Sequence, residues 1–477
     1  MSSRGRAVMV CGTTSGAGKS LLATALARWY ARAGFKVAPF KAQNMSNNAR
    51  VVDGGEIGSA QYFQALAAGC EPDVRMNPVL LKPETEMRSQ VILLGRRDDA
   101  LAAMPWHARS SLLWPTIQAC LDALIDGNEV IVIEGAGSPA EINLQATDIV
   151  NMRVAAHAAA ATLLVADIDR GGAFAHLYGT HQLLPPEHRA LIRGFVLNKF
   201  RGDAGLLEPG PRLLESLTGV PTLAVLPMWR GHGLPEEDGV FDARGGGHGP
   251  AVAIVAYPQI SNLDEFTPLG RVPGLGLRWA RDAGAVAGAD LLILPGSKQV
   301  AADLAWLRRT GIDVAIAAHV EAGKRLLAIC GGLQMLGAEV ADPHGVEGAA
   351  HGLGLLPYST EFAATKRYRR GHYRFGPLEG AWAPLGGVDF CGYEIRHGGT
   401  KPLAPRGGSP LAAVLDEDCG WQCGATLALY VHGLFESAAV MRALFGHDTP
   451  ALEDTLNGLA DFVDAGFGRA TLLSLVA

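Results

Sequence analysis

The sequence predicts two α/β domains, each built on a largely parallel sheet. The chain of 477 residues is longer than one hydrophobic core usually serves. Short apolar runs alternate with helical patterns in both halves, and a glycine-rich stretch without periodicity, FDARGGGHGP at 241–250, separates the halves. We therefore expect domains at 1–241 and 251–445, a linker at 242–250 and a helical tail at 446–477.

The first half has the pattern of strands joined by crossover helices, as in parallel βαβ units. The pattern restarts after the linker, and one more amphipathic stretch predicts a closing helix near the end of the chain. The predicted strands are 7–11, 36–40, 129–133, 162–166, 194–197, 222–226, 251–256, 291–294, 326–329 and 427–431, and helices are predicted at 20–33 and 452–463.

Composition excludes several classes of protein. With 48% hydrophobic and 18% charged residues and a net charge of −6, the chain has an ordinary globular composition. Lysine and arginine are dispersed and slightly outnumbered by acids, so we expect no nucleic-acid partner. Apolar stretches such as 154–166 are too short to span a membrane, and no signal peptide precedes the first strand.

Seven cysteines without paired spacing indicate a reducing, cytoplasmic location.

A loop with the pattern of a phosphate-binding site follows the first predicted strand. It reads GTTSGAGKS at 12–20 and leads into a helix. Backbone N–H groups of Gly16, Ala17 and Gly18 can surround phosphates, Lys19 can reach the outer phosphates, and Ser20 can bind Mg²⁺. The loop is one residue longer than the standard motif, and an ordinary glycine-rich turn is the alternative. The strand–loop–helix order favours phosphate binding.

Other polar residues lie where predicted strands end. Glu134 follows the strand at 129–133 and is a candidate Mg²⁺ ligand, because open α/β sheets bind ligands at this edge. A surface or helix-capping carboxylate is the alternative. Asp53, beside two glycines, is a further metal candidate. Asn198 is a candidate for reading an adenine base, or it occupies a simple turn.

The second half contains a candidate nucleophile. Cys330 directly follows the strand at 326–329 and precedes two glycines, and a thiol at a sharp strand-to-helix turn is accessible and acidified by the helix N-terminus. His432, at the end of another predicted strand, is the expected base. The alternatives are an inert buried thiol, a core histidine and an ordinary turn after the strand at 291–294. Backbone donors for an oxyanion hole are expected from Gly296, Ser297 and Gly331.

Together these residues resemble the cobyric acid synthase family, in which a dethiobiotin-synthetase-like domain is fused to a class I glutamine amidotransferase domain. The resemblance covers nearly the whole chain, and it depends on strings far more specific than a glycine loop. These strings are KAQNMSNNA (41–49), EIGSAQ (56–61), MNPVLLKP (76–83), GAGSPAEINL (135–144), DIVNM (148–152), ADIDRGGAFAHLYGT (166–180), LNKFRGD (197–203) and GYEI (392–395).

The resemblance implies four ATP-dependent amidations, at the b, d, e and g carboxylates of adenosyl-cobyrinic acid a,c-diamide, with ammonia from L-glutamine. Mg²⁺-ATP would activate a carboxylate so that ammonia can displace phosphate, and Cys330 would release ammonia through a glutamyl thioester. The family's dethiobiotin-like half also uses the longer glycine loop. Candidate contacts to the corrinoid, the transferred phosphate or glutamine are Lys41, Gln43, Asn44, Asn47, Asn48, Asp148 and Gln334. For Asp148, a helix N-cap is the alternative.

Two positions depart from the family pattern. After GYEI the family usually has histidine, whereas this chain has Arg396 and then His397. Class I glutaminases commonly place an acid two residues after the histidine, where this chain has Leu434. We therefore expect a Cys–His pair in which Glu436, the nearest following acid, contributes little.

Three other functions compete with this interpretation. The nearest is cobyrinic acid a,c-diamide synthase, which performs the same two half-reactions on the acetate carboxylates. A P-loop ATPase with an inactive, partner-binding glutaminase-like domain is a second alternative. A pure binding module is the third, and it leaves both sets of reactive residues unexplained.

Overall fold

The computed structural model describes residues 4–85, 88–229, 232, 234, 249–404, 410–416, 418–448 and 451–477. The chain forms two compact units, one made of Met1–Asp238 with Ala451–Ala477 and the other of Gly239–Pro450. Most of the expected linker at 242–250 lies outside the described residues. In the part of the chain that is described, no helix combines the length and apolar character needed to cross a bilayer.

The first unit alternates strands and helices along most of its length. Its strands are β1 (Arg6–Gly12), β2 (Val37–Phe40), β3 (Gln43–Met45), β4 (Ala49–Val52), β5 (Gly55–Gly58), β6 (Val79–Thr85), β7 (Arg88–Leu93), β8 (Arg96–Arg97), β9 (Val130–Glu134), β10 (Ala161–Asp167), β11 (Ile192–Phe200) and β12 (Thr222–Pro227). Its helices begin with α1 (Lys19–Arg32), α2 (Ser59–Ala68), α3 (Asp99–Ala102), α4 (Trp106–Gly127), α5 (Met152–His157), α6 (Ala173–Leu183), α7 (Pro186–Arg189) and α8 (Gly210–Thr218).

A parallel sheet in the order β12-β11-β10-β1-β9-β2 forms the centre of this unit. Successive side chains point to opposite faces, and both faces are buried: Met9 and Ile131 pack on one side, Val8 and Val132 on the other. Burial on both faces explains why these strands are continuous apolar runs. The predicted parallel sheet is confirmed.

An insertion between β2 and β9 contains strands that the sequence pattern did not predict. β3, β6, β7 and β8 form a small sheet, and β4 pairs with β5 in a hairpin. Many of its side chains are buried and polar, so no alternation of apolar and polar residues marks these strands.

The second unit is built on a mixed sheet in which most neighbouring strands are parallel. Its strands are β13 (Ala251–Val255), β14 (Ile260–Ser261), β15 (Gly276–Ala280), β16 (Leu291–Leu294), β17 (Gly296–Ser297), β18 (Arg325–Ile329), β19 (Glu339–Ala341), β20 (Ala350–His351), β21 (Tyr358–Arg374), β22 (Asp389–Pro402), β23 (Ala412–Leu415), β24 (Gly420–Cys423) and β25 (Thr426–Leu429). Its helices are α9 (Ala283–Val286), α10 (Val300–Thr310), α11 (Ile312–Glu321), α12 (Gly331–Leu336) and α13 (Ala438–Phe445).

The central sheet of the second unit has the order β15-β13-β16-β18-β25-β24-β23, with β24 and β23 antiparallel at one edge. The carboxyl ends of β18 and β25 are therefore adjacent, because these two strands are parallel neighbours. Residues that follow them, including Cys330 and His432, emerge at the same edge. A long antiparallel hairpin of β21 and β22, which the sequence pattern did not predict, pairs with His432 through Tyr393.

The last two helices, α14 (Leu452–Phe467) and α15 (Arg469–Ser474), belong to the first unit. They pack along α1, where Trp29 Nε1 donates to Asp464 Oδ1 at 2.8 Å and the Tyr30 hydroxyl donates to the Leu472 carbonyl at 2.7 Å. Leu459 is fully buried in the apolar cluster on that face of the sheet. The segment expected as a tail therefore supplies part of the core of the first unit.

Replacing Leu459 with alanine should reduce the free energy of unfolding by about 2–4 kcal/mol, because the residue is fully buried and the change leaves a cavity. Leu452→Ala on the same helix is the matched control. Leu452 is 37% exposed, so the expected change there is below about 0.5 kcal/mol. Urea denaturation followed by circular dichroism measures both, and equal losses would contradict this packing.

Candidate functional site

Two side chains at the end of β11 donate hydrogen bonds to the glycine loop at 12–20. The Asn198 amide donates to the Ala17 carbonyl at 2.9 Å, and the Lys199 ammonium donates to the Gly16 carbonyl at 2.7 Å. Gly18 has φ +96°, and a Cβ there would lie 2.1 Å from the Asn198 amide nitrogen. Glycine is therefore required at this position. Asn198, expected to read a base, has its amide nitrogen engaged by the loop itself.

Lys19 begins α1, and its side chain is folded into the loop. Its ammonium donates to the carbonyls of Thr14 at 3.1 Å and Gly137 at 3.3 Å. The ammonium of Lys19 therefore lies near the positive N-terminal end of the helix dipole. Both positive charges favour the binding of an anion such as phosphate.

Glu134 is the centre of a buried polar cluster beside the loop. The side chain is fully buried, and its Oε1 accepts hydrogen bonds from Ser20 Oγ and from Lys41 Nζ, each at 2.8 Å. Its Oε2 accepts from the amides of Gln64 and Gln61. Burial alone raises the pKa of the Glu134 carboxyl, but Lys41, followed by the Gln64 and Ser20 hydrogen bonds, brings the pKa below its ordinary value. The group is therefore a carboxylate.

The pairing of Ser20 with Glu134 fits a magnesium site. Mg²⁺ usually takes one or two protein oxygens and completes its shell with phosphates and water, and these two oxygens are adjacent. Asp53 is exposed at the turn of the β4–β5 hairpin, at the end away from the Ala49–Gly58 pair. Its role as a metal ligand stays a prediction.

The polar run after β2 lies in the same cluster. Lys41 contacts Glu134 directly, and Asn44 donates to Gln61 Oε1 at 3.1 Å. Gln43 is buried, and its Oε1 has no hydrogen-bond partner among the described residues. Asn48 is also buried and Asn47 is half-buried in the loop between β3 and β4.

Two residues in this cluster were missed as site residues. Gln61 and Gln64 both lie on α2 and donate to Glu134. Their spacing of three residues places both amides on one face of the helix. That spacing, read together with the polar run at 41–48, is the signal that could have identified them.

Asp148 lies in the turn that leads into α5. Its Oδ1 accepts from the backbone N–H groups of Val150 at 2.8 Å and Asn151 at 2.9 Å, just before α5. Its Oδ2 accepts from the Arg153 backbone at 3.4 Å. The carboxylate thus accepts backbone N–H groups of the turn that leads into α5, whose N-cap is Asn151, and the role of Asp148 as a substrate contact stays a prediction.

Cys330 lies at a sharp turn between β18 and α12 in the second unit. Its backbone has φ +52° and ψ −107°, a conformation that a non-glycine residue rarely adopts. Its Sγ lies 3.7 Å from the Ile395 carbonyl, and it shares a hydrogen bond with His432. A nucleophile elbow has this combination of strand, strained turn and helix.

His432 is oriented by an acid from another part of the chain. Its Nδ1 lies 3.0 Å from Glu265 Oε1, and Glu265 Oε2 accepts the Gly433 N–H at 3.2 Å. Both side chains are buried. Burial lowers the pKa of His432, but the charges of Glu265 and Cys330 outweigh it and raise the pKa to about 10. The positively charged imidazolium form of His432 is therefore favoured by this arrangement.

The expected Cys–His pair without an orienting acid is therefore wrong. Glu265 lies in a 3₁₀ segment, Leu263–Arg271, and fills the role of the third residue, whereas Glu436 is exposed. No local pattern marks Glu265, because it precedes His432 by 167 residues.

We expect Glu265→Gln to lower the turnover of glutamine by about 10²–10³-fold, less than the 10⁴-fold seen for a serine triad because a thiol needs less activation. The change preserves shape but removes the charge that favours the imidazolium. Glu436→Gln is the matched control and should stay within about tenfold of wild type. Glutamate release from glutamine measures both, and the reverse order of effects would contradict the assignment of Glu265.

The backbone expected to bind an oxyanion lies beside both the nucleophile and the base. Gly296 and Ser297 form β17, which pairs with β14. A Cβ on Gly331 would lie 2.6 Å from the Ser297 backbone nitrogen, and one on Gly296 would lie 2.9 Å from His432 Cε1. Any side chain at Gly296 or Gly331 would therefore collide with His432 or with the Ser297 backbone beside Cys330.

Arg396 and His397, which depart from the family pattern, lie in β22. The Arg396 guanidinium stacks on Tyr430 at 3.8 Å and donates to Glu394 at 2.8 Å. Gln334, on α12, hydrogen-bonds to the Tyr430 hydroxyl, while His397 Nδ1 lies 3.3 Å from the Ala363 carbonyl. Arg396 is thus part of a buried network beside the nucleophile, and Gln334 is held by the same network.

Two family models match the chain in succession. A CobQ/CobB/MinD/ParA nucleotide binding domain matches residues 8–230, and a CobB/CobQ-like glutamine amidotransferase domain matches residues 251–440. Curated relatives match almost end to end. A protein from Variovorax paradoxus named cobyric acid synthase is 61% identical, with 99% of each chain covered. Proteins of the same name from a Polaromonas species and from Methylibium petroleiphilum are 58% and 61% identical, covering 99% of this chain and 98% and 97% of theirs.

Proposed function

Because the chain belongs to the cobyric acid synthase family, we propose that it amidates the b, d, e and g carboxylates of adenosyl-cobyrinic acid a,c-diamide with ATP and L-glutamine. One observation carries the proposal: a single chain holds two separate sets of reactive groups. The first unit has Ser20, Lys41 and Glu134 beside a phosphate-binding loop. The second unit has Cys330, His432 and Glu265 at one sheet edge.

In the second unit, we propose that Cys330 attacks the side-chain amide of glutamine. The thiolate forms a bond to the carbonyl carbon, and the oxyanion accepts hydrogen bonds from the backbone around Gly296, Ser297 and Gly331. His432 then gives its proton to the departing nitrogen, which leaves as ammonia. Water then attacks the glutamyl thioester and gives its proton to the neutral His432, which releases glutamate and restores the thiolate and the imidazolium. Glu265 stabilises the imidazolium whenever His432 carries the proton.

In the first unit, the proposed nucleotide contacts are the backbone of Gly16, Ala17 and Gly18 and the ammonium of Lys19. Ser20 and Glu134 are the proposed ligands of Mg²⁺. When bound, Mg²⁺-ATP supplies the phosphoryl group that turns a carboxylate oxygen into a leaving group for displacement by ammonia. Lys41 lies within hydrogen-bond distance of Glu134 and is placed to neutralise phosphate or carboxylate charge.

The polar run is the proposed corrinoid contact of the first unit. A substrate with several carboxylates and amides needs both donors and acceptors, and Gln43 offers a buried acceptor without a partner among the described residues. Asn44, Asn47 and Asn48 add further amide groups to this region. We place the reaction in the cytoplasm, in keeping with seven free cysteines.

Counting the amides added to the corrinoid tests the proposal. The chain is incubated with ATP, Mg²⁺, glutamine and the a,c-diamide, and the mass of the product is expected to show four new amides. Cobyrinic acid is supplied separately, because amidation at only its two acetate carboxylates would instead identify an a,c-diamide synthase. Glutamate release measured in parallel would be absent if the second unit were an inactive partner-binding domain.

A further inference from the structure

Asp303 is a buried carboxylate on α10 that joins two segments of the second unit. Its Oδ2 accepts a hydrogen bond from Ser297 Oγ at 2.6 Å, and its Oδ1 accepts from the Gln259 backbone N–H at 3.1 Å. The side chain is only 1% exposed. Burial raises the pKa of this carboxyl to about 6. Burying a carboxylate costs free energy, and hydrogen bonds such as these two compensate for part of the lost hydration.

The two segments that Asp303 joins are the strands next to the nucleophile. Gln259 precedes β14 and Ser297 ends β17, and these strands pair with each other. The Ser297 hydroxyl also accepts from the Gln299 N–H at 3.1 Å, so the turn into α10 closes around it. Asp303 therefore fixes the position of Ser297 through its side chain and leaves the Ser297 backbone for other contacts.

Gly296 and Ser297 are held on both sides. Before them, the Tyr257 hydroxyl donates to the Pro295 carbonyl, and after them Asp303 binds the Ser297 hydroxyl. The held backbone faces the start of α12, where a Cβ on Gly331 would approach the Ser297 nitrogen to 2.6 Å. Small movements here would change the distance between the backbone donors and an oxygen bound at Cys330.

We propose that Asp303 is a positioning residue for glutamine hydrolysis, which holds the Gly296–Ser297 backbone where it can donate to the oxyanion. The inference rests on the proposed glutaminase reaction at Cys330. Asp303 acts through Ser297. Its loss should therefore slow the step in which negative charge develops on the amide oxygen. Binding of glutamine and ionisation of the Cys330 thiol do not depend on that charge.

Two substitutions test this role in the full-length chain. Asp303→Asn keeps the shape of the side chain, and Ser297→Ala removes only the hydroxyl while keeping the backbone N–H. Each should lower the kcat of glutamine hydrolysis by about 30-fold, below the 10²–10³-fold cost of losing a whole oxyanion donor, with KM changed less than about threefold. Because both changes break the same hydrogen bond, the double variant should be no slower than the slower single variant.

The rate at which iodoacetamide alkylates Cys330, followed by peptide mass, distinguishes positioning from general damage. Alkylation needs the thiolate but forms no oxyanion, so the rate of alkylation in both variants should equal that of the wild-type chain. Asp342→Asn is the matched control, since the Asp342 carboxylate caps the backbone of Val346, Glu347 and Gly348 elsewhere in the same unit. Its kcat should be unchanged.

Wild-type kcat in Ser297→Ala, or in a folded Asp303→Asn, would overturn the role of Asp303. Alkylation that falls in parallel with kcat would also overturn it, because the defect would then lie in the Cys330–His432 pair. A wild-type chain that releases no glutamate, or Cys330→Ala that still releases it, would refute the glutaminase reaction itself and the present inference with it.

Discussion

Replacing Cys330 with serine should reduce glutamine-dependent amide synthesis by ~10⁴-fold or more while synthesis from free ammonia continues. The serine hydroxyl ionises far less readily than the thiol, so it is a much weaker nucleophile toward the amide of glutamine. Free ammonia does not require this step. The two reactions are therefore expected to separate in one variant.

The measurement compares amide formation from glutamine and from high concentrations of ammonium salt, with glutamate release followed in parallel. Cys391→Ser is the matched control, because Cys391 is exposed on β22 and its loss should leave both reactions at the wild-type level. Glutamate release that persists in Cys330→Ser would show that another group is the nucleophile. Equal loss with both nitrogen sources would show damage beyond the glutaminase site.

Replacing Lys19 with alanine should lower amidation by about 10³-fold or more with either nitrogen source. Both routes need the activated carboxylate, and the ammonium of Lys19 is the cation that the loop encloses. Glutamine hydrolysis measured on its own should persist, since Cys330 and His432 lie in the other unit.

Lys36→Ala provides a matched control for charge, because Lys36 is an exposed lysine of the same unit. It should amidate at the wild-type rate. Near-normal amidation from ammonia in Lys19→Ala would refute the role of this lysine. Binding of a fluorescent ATP analogue should weaken in Lys19→Ala and not in Lys36→Ala, which separates a loss of nucleotide contact from a loss of folding.

The parts of the structure that could be predicted are those with a local pattern. The central strands are continuous apolar runs because both faces are buried, and the phosphate loop and the Cys330 elbow each occupy a single strand-to-helix connection. The polar insertion and the β21–β22 hairpin lack that regularity. Their strands are stabilised by buried hydrogen bonds and long-range pairing, which no short window of residues reveals.

Contacts between distant residues explain the errors at the sites. Glu265 reaches His432 across 167 residues of sequence, and only the folded chain brings the 3₁₀ segment beside this histidine. Asp53 as a metal ligand and Asp148 as a substrate contact stay predictions, because the contacts of the described residues do not test either role.

The return of α14 and α15 to the first unit has a consequence for synthesis on the ribosome. Residues 451–477 are made after the whole second unit, yet they pack on α1 and β12 of the first unit. The second unit is continuous in sequence and can fold as it emerges. Until this segment is translated, the apolar surface that α14 covers on α1 and β12 stays exposed, so the nascent chain offers chaperones a binding surface while the second unit is made.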